Sequence, residues 1–228
     1  LLFFPYDRFK PALEEELRKV WQTPVAVGSV QIKLLPQPGL LLSDVRIGER
    51  GDSTVDQIRL YSLFSLMGSG PYILERVEIS GGRVNADHLV GMSPLSTEQK
   101  GSAARFVAKQ ALIERLTVVA GPLTLNELNG EVTFLANGQM QKAALQTVDR
   151  SLRLEITPGR QGAALTAEAL GWRATDISPL TFDSLQAKGW LQKGKLTIQS
   201  FDSRTMGGVL KGTWMLDWSN GLVMVGEG

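Results

Sequence analysis

The stretch TFDSLQAKGWLQKGKLTIQSFDSRTMGGVLKGTWMLDW (Thr181–Trp218) decides the fold class. Its apolar residues recur at alternate positions between short polar and glycine breaks, the period of a strand with one buried face. Three strands are predicted here: Leu185–Leu191, Leu196–Phe201 and Val209–Trp218. On the last, Leu210, Gly212, Trp214, Leu216 and Trp218 share one face, while Val209, Lys211, Thr213, Met215 and Asp217 take the other. One face is strongly apolar. It is either ordinary core or an apolar groove for acyl chains.

Outward from this stretch the same period governs most of the chain. Val25, Val27, Val30 and Ile32, then Leu40, Leu42, Val45 and Ile47, then Ile58, Leu60 and Leu63, fit strands punctuated by Pro36, Pro38, Gly39, Gly48 and Gly51. Further strands are predicted at Ile73–Ile79, Leu112–Val118, Leu123–Leu125, Glu131–Phe134, Ser151–Ile156 and Ala164–Ala169. The polar, non-periodic GMSPLSTEQKGSAA (Gly91–Ala104) reads as a loop or seam. It divides a lead helix and first sheet segment over 6–91 from a second segment over 105–228, with the loop at 92–104. Two ungapped internal matches, Ile73–Val84 on Leu112–Leu123 and Pro122–Leu128 on Pro179–Leu185, point to one strand-turn-strand module reused with variable loops.

One segment departs from this period. From Asp7 to Trp21, Phe9, Leu13, Leu17, Val20 and Trp21 recur at three- and four-residue steps, which predicts an amphipathic helix with Asp7 as N-cap and Pro11 in or near the first turn. Glu14, Glu15 and Glu16 are expected on its solvated face, and capping one end of a sheet is its expected use. Before it, Leu1–Pro5 is apolar but far shorter than a bilayer span. This run reads either as a buried strand or as the end of a truncated membrane anchor, and LVMVGEG (Leu222–Gly228) stops inside a strand-like pattern. The expectation is therefore an internal piece of a larger, membrane-anchored protein.

Composition narrows the chemistry. The 228 residues carry 24 Lys plus Arg and 23 Asp plus Glu, a net charge of +1, so no strong field attracts nucleic acid. No cysteine and a single histidine remove disulfides, thiolate zinc sites, cysteine nucleophiles and paired-histidine metal motifs. His88 follows Asp87, but neighbours on a strand point to opposite faces, so His88 reads as a loop histidine without a role. Asp176, Asp183, Asp202 and Asp217 are scattered, and no nucleotide-binding or nucleophile-elbow motif is present. Gly81-Gly82 and Gly207-Gly208 read as turn or bulge glycines. The expectation is no enzyme, no cofactor and no metal. An apolar groove needs no such groups: each methylene withdrawn from water contributes about 0.8 kcal/mol, so a tail of about a dozen offers about 10 kcal/mol before association costs.

Three segments resemble the AsmA-like family of bacterial envelope proteins. They are FPYDRFKPALEEELRKVWQTPVAVGSV (Phe4–Val30), LLPQPGLLLSDVRIGE (Leu34–Glu49) and ILERVEISGGRV (Ile73–Val84), and the Thr181–Trp218 stretch is similar to the family's repeated strand module. Thr23 stands where the family usually has Gly, and the 91–104 loop is short. The resemblance implies a periplasmic protein anchored by an N-terminal inner-membrane helix. It also implies a long, curved, taco-like, largely antiparallel β-sheet with an apolar inner face, associated with lipid passage between the two membranes. Phospholipid acyl chains are then the expected ligand, with Leu210, Trp214, Leu216 and Trp218 facing them. The GspN-like component of type II secretion has a similar start, which keeps open a structural role in an assembly machine, with the sheet edge recruiting a partner strand. A carbohydrate-binding sandwich would instead present its five tryptophans on an exposed platform.

Overall fold

A computed structural model describes residues 6–33, 38–61, 72–91, 106–137, 139–160, 162–173 and 181–228. The Leu1–Pro5 run and the 92–104 loop lie outside them. Helix α1 (Tyr6–Trp21) leads into β1 (Val25–Lys33), β2 (Gly39–Ile47) and β3 (Ser53–Tyr61). Short pieces follow: β4 (Tyr72–Leu74), β5 (Arg76–Ser80), β6 (Arg83–Asn85), helix α2 (Ala86–Gly91) and β7 (Phe106–Ala108). A run of hairpins completes the chain: β8 (Gln110–Ala120), β9 (Leu123–Phe134), β10 (Met140–Thr147), β11 (Leu152–Gly159), β12 (Gly162–Arg173), β13 (Thr181–Gln192), β14 (Lys195–Thr205), β15 (Gly208–Asp217) and β16 (Val223–Glu227).

The protein is mainly β, with one large curved sheet of 14 strands. Most pairings are antiparallel, as the short turns require. One splice is parallel: β5 and β6 occupy a single strand position between β3 and β8 and run parallel to β8, so the two predicted segments share a sheet. Strands β4 and β7 form a separate parallel pair.

Several boundaries differ from the sequence reading. The expected strand Ile73–Ile79 is broken at Glu75, whereas Leu123–Leu125 and Glu131–Phe134 are parts of one strand. Strand β10 was not anticipated, because Gln141, Lys142 and Gln146 dilute its apolar alternation to Ala143 and Leu145. Helix α1 begins at Tyr6, so Asp7 is inside it and Pro11 lies beyond the first turn. Leu13 and Trp21 are buried in the core and Leu17 packs against it. Gln22, at φ 51°, enters the left-handed region and ends the helix. Glu14 is not a solvated carboxylate: it accepts a 2.8 Å hydrogen bond from the Val27 amide, on the edge of β1 that β2 leaves free. Helix α1 thereby covers that edge of the sheet.

Strict alternation also fails at repeated places. In Leu42-Ser43-Asp44-Val45, Val55-Asp56-Gln57-Ile58, Ile113-Glu114-Arg115-Leu116 and Leu125-Asn126-Glu127-Leu128, two polar residues separate two apolar ones that face the core. Asp44, Arg115 and Glu127 have φ of 55°, 52° and 49°, and the pairing of β8 with β9 shifts register there. The breaks in β8 and β9 are β-bulges, which absorb an extra residue and bend the strand, whereas the register from β1 through β3 runs on unshifted. All four breaks lie along one transverse line. Asp56 donates its amide to Gly81 O (3.4 Å), Gly81 to Glu114 O (2.9 Å) and Thr117 to Gly82 O (3.0 Å). The sheet is creased along this line. The internal match of Pro122–Leu128 with Pro179–Leu185 has the same basis, since Phe182 and Leu185 are both buried across a register shift at Asp183.

Gly82 sits in the crease at φ 113°, and a Cβ there would meet Thr54 O and lie 2.7 Å from Val55 Cα. Gly171, at φ 63°, has open space around it. Gly82→Ala is expected to lower stability by about 2–4 kcal/mol and Gly171→Ala by about 1 kcal/mol, compared by chemical denaturation. Equal losses would mean that the crease does not need close backbone approach.

Candidate functional site

Residues directly opposed in neighbouring strands share a face, so the register draws the two surfaces of the sheet. Leu145, Leu154, Ala167, Ala187 and Phe201 stand opposite one another across five strands, β10 to β14. The adjoining row, Ala144, Glu155, Thr166, Lys188 and Ser200, faces the other way. The first surface is concave and apolar, the second polar. Charges on the outer surface pair locally, as Lys142 with Glu155 (2.7 Å), Lys211 with Asp202 (2.8 Å), and Arg59 with both Tyr61 (3.2 Å) and Glu78 (3.3 Å). The hydrogen bond to Tyr61 does most to raise the Arg59 pKa above its ordinary value; burial opposes it, and the charges of Tyr61 and then Glu78 add smaller upward effects.

The concave surface encloses a cavity of about 380 Å³ whose lining residues are all apolar. That volume falls within the range of small-molecule sites, roughly 300–1,000 Å³. Leu145, Leu154, Ala167, Ala187 and Phe201 of the apolar row all line the cavity, and the two alanines take up least of its space. Trp172, Phe182, Phe201 and Trp214 form a continuous aromatic run, with centroids 5.8, 6.1 and 6.4 Å apart. It crosses from β12 to β15. Among the described residues no group of His, Cys, Asp or Glu is placed to hold a metal ion.

One rim of this trough is drawn shut. Trp218, just past β15, lies with its ring over Gly121 in the β8–β9 turn, where an added Cβ would be 2.7 Å from the indole. No backbone pairing joins β8 to β15, so the contact is made by side chains. Helix α2 stands at the same place. Asn85 caps it, accepting from the Asp87 amide at 2.9 Å, and Ala86 and Leu89 line the cavity. Asp87 Oδ1 accepts from the Gly194 amide in the β13–β14 turn (2.8 Å), and Oδ2 from Trp218 Nε1 (3.4 Å). On its other side His88 Nδ1 is 2.8 Å from Ser53 Oγ, which also accepts the Asn85 amide at 2.8 Å.

His88 is thus a helical residue with a partner, not an idle loop histidine. In Asn85-Ala86-Asp87-His88 the chain is not extended, because Asn85 caps a helix that runs on into the apolar Leu89-Val90. Leu210, Trp214 and Leu216 stand opposite Ser203, Ile198 and Leu196 on the concave side, half-buried but outside the cavity lining. Trp218 belongs to the closed rim. Residues that line the cavity, such as Ile156, Ile198 and Phe201, were named in the sequence only as strand positions. All five tryptophans are buried or half-buried, which removes the exposed platform of a carbohydrate-binding sandwich.

No family model, curated protein or solved structure matches the chain. Among the described residues no helix is long and apolar enough to cross a membrane.

Trp214 Nε1 is buried without a hydrogen-bond partner, beside Phe201 and over Gly226. Trp214→Phe removes an unsatisfied donor and keeps most of the ring contact. It is expected to leave stability unchanged or raise it by up to about 1 kcal/mol in chemical denaturation. A loss beyond about 1 kcal/mol would show that the indole N–H is satisfied in solution.

Proposed function

We propose that this protein holds phospholipid acyl chains in its concave groove, as an AsmA-like envelope protein of the periplasm that takes part in moving lipid between inner and outer membrane. The observation that carries this reading is the cavity lined by apolar side chains alone, on a sheet whose charges are confined to the opposite face. Such a lining offers no hydrogen bond to a sugar, nucleotide or peptide, and it favours aliphatic chains through area removed from water. The headgroup stays outside in solvent. Movement along the groove needs no covalent step, and the aromatic run from Trp172 to Trp214 extends the apolar surface beyond the cavity. The sequence resemblance supports the same reading.

A second reading, a strand-recruiting component of an envelope assembly machine, has its own support. Among the described residues strand β16 pairs only with β15, and Val223, Met224 and Val225 are 52%, 59% and 51% exposed on it. A strand apolar on both faces suits the interior of a sheet better than its edge.

Protein purified from membranes under mild conditions is expected to carry phospholipid detectable by mass spectrometry, and photo-crosslinkers at Ile198 and Phe201 are expected to capture it. Ile156→Lys places a charge on the half-buried lining and is expected to reduce bound lipid at least about tenfold with the fold kept, by circular dichroism. Lipid content unaffected by Ile156→Lys, or absent from the parent protein, would remove the groove from the explanation.

A further inference from the structure

We propose that α2 is a strap that gates the groove, held shut by the Asp87 carboxylate and released when its two hydrogen bonds break. The proposal rests on the groove being an acyl-chain site and concerns how that site opens. Three observations support it. First, α2 is joined to both sides of the curled sheet by side chains that are neighbours in sequence: His88 reaches Ser53 at the start of β3, and Asp87 reaches the β13–β14 turn and Trp218. Second, these two side chains point away from the cavity while Ala86 and Leu89 of the same helix line it, so displacing α2 opens its wall. Third, the closure at Trp218 and Gly121 contains no strand pairing, so its opening breaks no backbone ladder.

The two attachments are unequal. On the Ser53 side the hydroxyl is fully buried and takes both the Asn85 amide and the His88 ring, which anchors the start of the helix to β3. On the Asp87 side a single carboxylate holds a backbone amide and an indole N–H that lie 107 and 131 residues away in sequence. Opening therefore pivots on Ser53 and releases at Asp87. The gain is control of exchange: a chain lying in the groove is kept from solvent and neighbouring bilayers while the strap is shut. The equilibrium amount bound depends on the lining, which Asp87 does not touch.

Two rates test this, one independent of lipid. Hydrogen exchange followed by NMR reads the Gly194 amide directly, and stopped-flow fluorescence reads release of pyrene-labelled dodecanoic acid to acceptor vesicles. In Asp87→Ala the Gly194 amide is expected to exchange at least about tenfold faster, and the probe to leave at least about fivefold faster with saturation binding unchanged. Trp218→Phe removes only the indole bond and is expected to give a smaller acceleration of both. It also carries the test if Asp87→Ala does not fold. An exposed Gly194 amide with unchanged probe release in either variant would overturn gating. An amide already unprotected in the parent protein would overturn the strap itself. Failure of the parent protein to bind the probe at all would instead sink the acyl-chain reading, with the Gly194 measurement still reporting whether the strap is held.

Discussion

A large sheet with one apolar face that, among the described residues, meets only two helices and a two-stranded pair buries most of that face by curling onto itself. This constraint organises the molecule. The concave rows of β8 to β14 meet across a trough, α1 and α2 cover parts of it, and Trp218 and Gly121 join the rim where the curl nearly closes. Curvature on this scale must be built into the strands, because a flat ladder would leave the same side chains in water. The bulges at Arg115 and Glu127 contribute to it, each inserting a residue that bends its strand. Incomplete closure has a direct result. Side chains that a sandwich would press against a second sheet instead border open volume, and the small residues Ala167 and Ala187 enlarge it.

The fold class was legible because alternation is a local property: each of Leu185–Leu191, Leu196–Phe201 and Val209–Trp218 declares its period within a few residues. The bulges were harder to see. Ile113-Glu114-Arg115-Leu116 breaks the period only when it is read with its neighbours, and the bend it produces depends on which strand pairs beside it. The parallel splice of β5 with β8 was hidden for a related reason. Nothing in Ile73–Ile79 distinguishes a strand that turns back from one that crosses over.

The site itself was half legible. That one face would be apolar followed from the last strands, but the space in the trough depends on residues such as Ala167 and Ala187, whose composition reads as unremarkable strand. Trp214 and Trp218 drew attention by size, yet the curl carries Trp218 to the rim and leaves Trp214 beside the cavity. Asp87 was set aside because its neighbour His88 formed no catalytic pair with it. Its partners, Gly194 and Trp218, are far along the chain and could not be inferred from spacing.

The two margins of the sheet are unlike. At β1 the helix α1 lies alongside and Glu14 occupies the amide of Val27, while β16 carries apolar side chains on both of its faces and, among the described residues, no element covers it. The two edges therefore differ in chemistry: at one a carboxylate takes up a backbone amide, and at the other the backbone stands beside exposed valine and methionine side chains.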